Sequence, residues 1–243
     1  MTTVQEHYAN HLAPVYVWMA GGIDAALARG DAEVDITCPS PSNGHIAVDL
    51  GAGFGMHAIP LARRGYSVVA VDCSAILLEV LRDQAKALPI RIVEDDLRAF
   101  PALLDAKADV ILCMGDTLTH LPDIESVTHL FAGVEESLQR GGKFVATFRD
   151  YTEPLVGHKR FVPVKSDSRR ILTCFLEYFS DHVAVHDLLH ERDDSSTWQL
   201  RVSAYRKLKL SPAWVSAALQ ARGFSVHVES GSAGMVRVVA TSS

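Results

Sequence analysis

The sequence is poor in cysteine, in basic clusters and in long apolar stretches. Its four cysteines, Cys38, Cys73, Cys113 and Cys174, stand far apart and form no CxxC pair. That spacing argues against a disulfide framework or a zinc site, and for reduced thiols. Lys and Arg number 23 against 29 Asp and Glu, giving a formal net charge of −6. Nucleic-acid binding needs a face that neutralises phosphates. The densest basic clusters, Arg169-Arg170 and Arg206-Lys207-Lys209, are too short for one and read as solvated strand ends. No apolar run is long enough to span a membrane, and Pro14 interrupts the N-terminal one. MTTVQEHYANHLAPVYVWMAGG also lacks the basic start of a signal peptide. The expectation is a cytoplasmic protein with neither a nucleic-acid nor a membrane partner.

What is present suffices for a core. The chain has 243 residues, 48% of them apolar, enough for one large domain or a domain with an insertion. Residues 4–28 read as helical, with Leu12, Val15, Met19 and Ile23 near helical spacing, and CPSPSNG at 38–44 reads as a turn-rich linker. Strands and helices then alternate. HIAVDL is a strand and 56–64 a helix; SVVAVD is a strand and 75–87 a helix. IRIVED and ADVILCMG are strands, 123–140 is a helix stopped by Gly141-Gly142, and KFVATFR is a strand. This order predicts a parallel sheet with crossover helices, covered on both faces because the strands are apolar on both.

After Arg149 the period changes. RFVPV, ILTCFLEYF, HVAVHDLLHER and WQLRVSAYRKLKL follow one another across short polar breaks, which predicts an antiparallel meander. Then SPAWVSAALQARG is a helix, with Ser211 as N-cap, Pro212 first and Gly223 as stop, and FSVHVE and MVRVVA are two closing strands. The expected organisation is an N-terminal helical lid and linker over 1–44 and an α/β domain made of 45–150 and 211–243. An antiparallel β insert over 151–210 would wall a site.

The stretch AVDLGAGFGMHAIPLARRGYSVVAVDCS, 47–74, carries the chemistry. Gly51, Gly53 and Gly55 lie between a strand and a helix, where missing side chains let a ligand rest on backbone. The spacing is G-x-G-x-G, whereas the dinucleotide fingerprint is G-x-G-x-x-G, and Met56 occupies the place of its last glycine. Asp49 beside the loop would repel a pyrophosphate but suits the ammonium and sulfonium of S-adenosylmethionine. Asp72, ending the second strand, is placed for two ribose hydroxyls. In EDDL at 94–97, Asp96 could accept from an adenine amino group while Leu97 packs on the ring.

With these markers in this order, the chain resembles the class I S-adenosylmethionine-dependent methyltransferases. MGDTLTHLPD at 114–123, RGGKFVATFRDY at 140–151 and WQLRVSAYRKLKLSPAWVSAALQARGF at 198–224 are similar to parts of the glycine and sarcosine N-methyltransferases, which also carry an antiparallel insert. The resemblance implies an α/β, Rossmann-like, seven-stranded sheet and S-adenosyl-L-methionine as cofactor. It implies cofactor contacts from Asp49, Gly51, Ala52, Gly53, Gly55, Asp72, Cys73, Asp95, Asp96, Leu97, Met114 and Gly115. It also implies methyl transfer to a nitrogen of a small metabolite, with a phenolic oxygen or a ring nitrogen as the alternative acceptor.

For the acceptor, Arg149 in F-R-D-Y matches an arginine that binds the substrate carboxylate in H-R-N-Y of that family, or else forms a structural ion pair with Asp150 or Glu153. His120 either orients or deprotonates the nucleophile, or caps a helix. Tyr8, Tyr16 and Trp18 would fold over the cofactor or pack in a core, and Tyr205 is a further candidate of that kind. His182, His186 and His190 repeat every four residues, but on a strand they stand about 13 Å apart pairwise and cannot share a metal ion. A nicotinamide-dependent oxidoreductase and a non-catalytic S-adenosylmethionine-binding protein are the competing readings.

Overall fold

The computed structural model describes residues 1–37 and 45–243; Cys38 and the linker expected at 38–44 lie outside the described residues. The N-terminal segment comprises α1 (Val4–His7), a π-helical turn (Tyr8–Leu12), α2 (Ala13–Met19) and α3 (Ile23–Thr37). The single helix expected over 4–28 is therefore broken. Gly21 and Gly22, at φ of 90° and 92°, end one helix and let the next start in a new direction.

The main sheet contains β1 (Ile46–Leu50), β2 (Ser67–Asp72), β3 (Ile90–Glu94), β4 (Ala108–Cys113) and β5 (Leu138–Phe148). Helices α4 (Ala58–Arg63), α5 (Ala75–Ala85) and α6 (Ile124–Ser137) lie between these strands in sequence. Sequence chemistry fixes the helix starts. Ser74 accepts from the Leu77 N–H at 3.5 Å and Asp123 from the Ser126 N–H at 2.7 Å, each satisfying a donor that the first turn leaves free. Apolar Leu77, Leu78, Leu81 and Ala85 then recur on one face of α5 and are buried.

Four further strands form a second, antiparallel sheet in the order β6 (Phe161–Ser166), β7 (Arg170–Tyr178), β8 (His182–Arg192), β9 (Trp198–Leu208). His182, His186 and His190 all fall on β8. The chain returns through α7 (Pro212–Gln220), capped by Ser211, to β10 (Phe224–Ser230) and β11 (Val236–Ser242). The main sheet is thus seven-stranded, in the order β3-β2-β1-β4-β5-β11-β10, with β11 antiparallel to both neighbours. Its core includes Leu50, Phe131, Phe144 and Phe148, all fully buried. Each such side chain contributes about 1.5–3 kcal/mol by leaving water.

Two expectations fail locally. Helix α6 ends at Ser137, and β5 runs through Gly141-Gly142 rather than starting after them. A Cβ at Gly142 would lie 2.9 Å from the Gln139 carbonyl oxygen and 3.1 Å from that of Asp109, so this glycine allows backbones to meet at a shift in strand register. Lys207 is likewise no solvated strand end: it is buried. No helix among the described residues is long and apolar enough to cross a membrane.

Candidate active site

Between β1 and β4 the strand order reverses, the place where open α/β sheets form a crevice at the carboxyl ends of their strands. A cavity of about 450 Å³ opens there, walled by the loops after β1, β2, β3 and β4 and by the N-terminal segment. That size falls in the range of small-molecule sites.

The glycine loop is held in shape from both sides. Gly53 N–H donates to Asp72 Oδ2 at 2.8 Å, and Ser74 N–H donates to Asp72 Oδ1 at 2.8 Å. Burial raises the Asp72 pKa above its usual value, against the lowering by those backbone donors. Gly51 has φ of 76°, and a Cβ there would come within 2.5 Å of the Thr117 side chain. Gly55 has φ of 92°, and a Cβ would meet Leu81 at 2.3 Å. Gly51, Ala52 and Gly53 form cavity wall; Gly55 does not, and packing against α5 explains it.

Asp49 is also absent from the wall. It is buried behind the loop, where burial pushes its pKa up to about 6 against the opposing pull of His57 and of the Ala58 backbone. Its Oδ2 has no hydrogen-bond partner among the described residues. A buried carboxylate with an unused oxygen beneath a loop is an electrostatic setting for a cationic ligand above it.

The remaining residues expected at the cofactor, Asp72, Cys73, Asp95, Asp96, Leu97, Met114 and Gly115, all line the cavity. Asp96 is not free, however. Arg98 grips it through Nε to Oδ1 at 2.9 Å and Nη2 to Oδ2 at 2.5 Å, and this contact holds its carboxyl below the usual range. Burial pushes the Cys73 thiol up to about 11, so it stays protonated.

Opposite lie Tyr8, Tyr16 and His120. Tyr8 and Tyr16 have ring centroids 5.8 Å apart, and Tyr8 meets His120 edge-on at 5.6 Å. Burial, with Lys207 nearby, lowers the His120 pKa to about 3, so its ring is neutral at physiological pH. Its Nε2 is buried without a partner among the described residues. Tyr205 does not reach the cavity wall; it is buried behind His120, at 5.7 Å, and stacks on His7 at 4.1 Å. Trp18 turns to the insert instead, donating to Asp167 Oδ2 at 2.6 Å beneath the Arg170 guanidinium. Arg149 is the largest departure from expectation. Its side chain is exposed, donates to the Ala233 carbonyl at 2.8 Å, and forms no part of the cavity wall.

Two buried groups escaped the sequence reading. Asp116, at φ of 77°, accepts from Tyr151 Oη at 3.1 Å, the Arg149 N–H at 2.9 Å, the Thr119 hydroxyl and Lys207 Nζ. His7 bridges Ser203 Oγ at 2.8 Å and Asp187 Oδ2 at 2.9 Å, fixing α1 to β8 and β9. Neither has a local signature, since the partners are 91 and 180 residues apart.

A family model described as a methyltransferase domain matches residues 47–142. The chain carries a methyltransferase domain. Three curated relatives align with the chain over less than half of their own lengths. A cypemycin N-terminal methyltransferase from Streptomyces sp. is 32% identical over 47% of this chain and 44% of its own. A glycine/sarcosine N-methyltransferase from Aphanothece halophytica is 28% identical over 43% and 40%, and a ubiquinone biosynthesis O-methyltransferase from Brucella ovis is 34% identical over 46% and 45%. Solved structures extend the likeness beyond the methyltransferase domain, as a likeness of fold. DesVI of Streptomyces venezuelae has a TM-score of 0.78 at 18% identity, covering 95% of this chain and 98% of its own. CalS10 of Micromonospora echinaspora, described as an amino pentose methyltransferase with S-adenosylmethionine bound, has 0.75 at 17%, covering 95% and 96%.

Proposed function

We propose that the protein is an S-adenosylmethionine-dependent methyltransferase acting in the cytoplasm on a nitrogen of a small metabolite. The observation that carries this reading is the cavity at the β1/β4 crevice, bounded by the Gly51–Gly53 backbone and by Asp72, with Asp49 buried behind the loop and its Oδ2 without a partner among the described residues. The methyltransferase-domain match over the same residues supports it. Gly51 to Gly53 would hold the cofactor's amino-acid part, Asp72 its ribose, and Asp95, Asp96 and Leu97 its adenine. Bound S-adenosylmethionine supplies a methyl group on a sulfonium, so that the acceptor's lone pair forms the new C–N bond as the S–C electron pair returns to sulfur.

The chain's own work is positioning and exclusion of water. Val4, Gln5, Tyr8 and Tyr16 cover the cavity from the N-terminal side. Holding two reactants in line removes about 7–11 kcal/mol from such a barrier. His120, neutral and weakly basic, is suited to orient an acceptor and poorly suited to take its proton, so the nucleophile reacts uncharged and the protons it and the product shed leave to water.

An oxygen acceptor is the second reading, since a relative that aligns here is an O-methyltransferase. A phenol needs deprotonation, and the low basicity of His120 weighs against it. Titration calorimetry with S-adenosylmethionine, S-adenosylhomocysteine and NADH tests the cofactor, and S-adenosylhomocysteine release across amines, phenols and aza-heterocycles tests the acceptor. Preferential NADH binding would sink the reading.

A further inference from the structure

The cavity wall is unbalanced in charge. Asp72, Glu94, Asp95 and Asp96 face it, and Arg98 is its one Lys or Arg among the described residues, already paired with Asp96 at 2.5 Å. The other nearby basic side chains are committed elsewhere. His57, also in the wall, meets Glu33 at 2.7 Å; Lys207 pairs with Asp116 away from the wall; Arg149 is held by the Ala233 carbonyl. The N-terminal side of the wall is aromatic. Tyr16 lies edge-on to Phe54 at 6.1 Å and beside Tyr8, and burial raises both phenol pKa values, so neither becomes an anion.

We infer that the acceptor is an amine bearing no carboxylate, received between Tyr8, Tyr16 and His120. This rests on the methyl-transfer reading above and narrows it. An acceptor carboxylate would enter a partly dry cavity whose wall is net negative and, among the described residues, offers no unpaired Lys or Arg, which raises the cost of taking it from water. An ammonium is drawn by the net negative field of the cavity wall and by the faces of Tyr8 and Tyr16. Once inside, it gives a proton to water. The free amine then forms its N–CH₃ bond at the expense of the S–CH₃ bond, and the second N–H proton of the methylated product also passes to water. This differs from the carboxylate clamp that the F-R-D-Y segment suggested, because Arg149 lies outside the wall.

Matched pairs test it: phenethylamine against phenylalanine, and pyrrolidine against proline. Each is titrated by calorimetry into the full-length protein saturated with S-adenosylhomocysteine, and each is assayed for methylation. The expected result is that the amines bind at least about tenfold more tightly than their carboxylate partners. Tyr8→Leu should weaken the amines and Tyr8→Phe should restore them; Gln5→Lys, which adds a cation to the wall, should narrow the gap. Equal or tighter binding of the carboxylates, or no binding of either pair while S-adenosylhomocysteine binds, overturns the inference alone. Failure of S-adenosylhomocysteine itself to bind overturns the methyl-transfer reading beneath it.

Discussion

Lys207 of β9 is ion-paired with Asp116 of the loop after β4, and both side chains are at least nine-tenths buried. The pair joins the antiparallel sheet to the main sheet behind His120. Burial alone would raise the Asp116 pKa, but Lys207, with His120 and the Arg149 N–H, holds it below the usual range. Lys207→Met strands a buried carboxylate and should cost about 3–5 kcal/mol in urea unfolding. Adding Asp116→Asn should recover part of that loss. A single-variant loss under about 1 kcal/mol would show that the charge finds water.

Asp72 gives an affinity prediction. Its two oxygens brace Gly53 and Ser74, so Asp72→Ala should unpair two backbone donors, cost about 1–3 kcal/mol of stability and abolish detectable S-adenosylmethionine binding. Calorimetry and thermal denaturation read the two effects separately. Retained affinity would move the cofactor elsewhere.

Asp49 couples stability to pH. Its folded pKa of about 6 lies above the unfolded value of 3.8, so the folded state holds the proton longer. Stability from this group is therefore present below pH 3.8 and lost as pH rises through about 6. The loss is about 3 kcal/mol for a shift of this size. Asp49→Asn should gain stability relative to the parent between pH 4 and pH 7, while binding S-adenosylmethionine more weakly. Parallel stability–pH curves for the two proteins would refute this origin.

For His120, the pKa near 3 predicts a pH–rate profile with no limb from this residue between pH 5 and 8. The rate should follow the acceptor's own deprotonation. His120→Asn should lower kcat without moving the profile. A limb near pH 6.5 that vanishes in the variant would make His120 a general base.

Arg149→Lys should leave acceptor KM within about twofold and cost at most about 1 kcal/mol, as its exposed side chain serves one carbonyl. A large rise in KM would restore the carboxylate clamp.

The main sheet was legible because its buried strands are apolar on both faces and punctuated by glycine, and the loop at 51–55 announced itself by spacing. Gly141-Gly142 misled, since a glycine pair ends a helix and allows a close strand approach equally well; only the Asp109 carbonyl beside Gly142 distinguishes them. Arg149 sits at a strand end as expected, but strand position does not say which way a side chain leaves, and the Ala233 carbonyl decided that. Gly55 shows that a motif position can answer to packing, here to Leu81, rather than to a ligand. Lys207 and His7 were invisible, because burial of a charge depends on a partner that lies remote in sequence. A lysine at an inward position of an alternating strand is the one signal that could have flagged Lys207.

His7 has a bearing on how relatives could be recombined. The cofactor side of the cavity comes from one stretch of the chain, 51–115, whereas Tyr8 and Tyr16 stand on a segment that His7 moors to Asp187 and Ser203. A chimera that imports the antiparallel sheet from another methyltransferase would cut those moorings and present a foreign surface to α1. The exchangeable cassette for altering acceptor choice is therefore discontinuous: the first nineteen residues and β6 to β9 have to travel together.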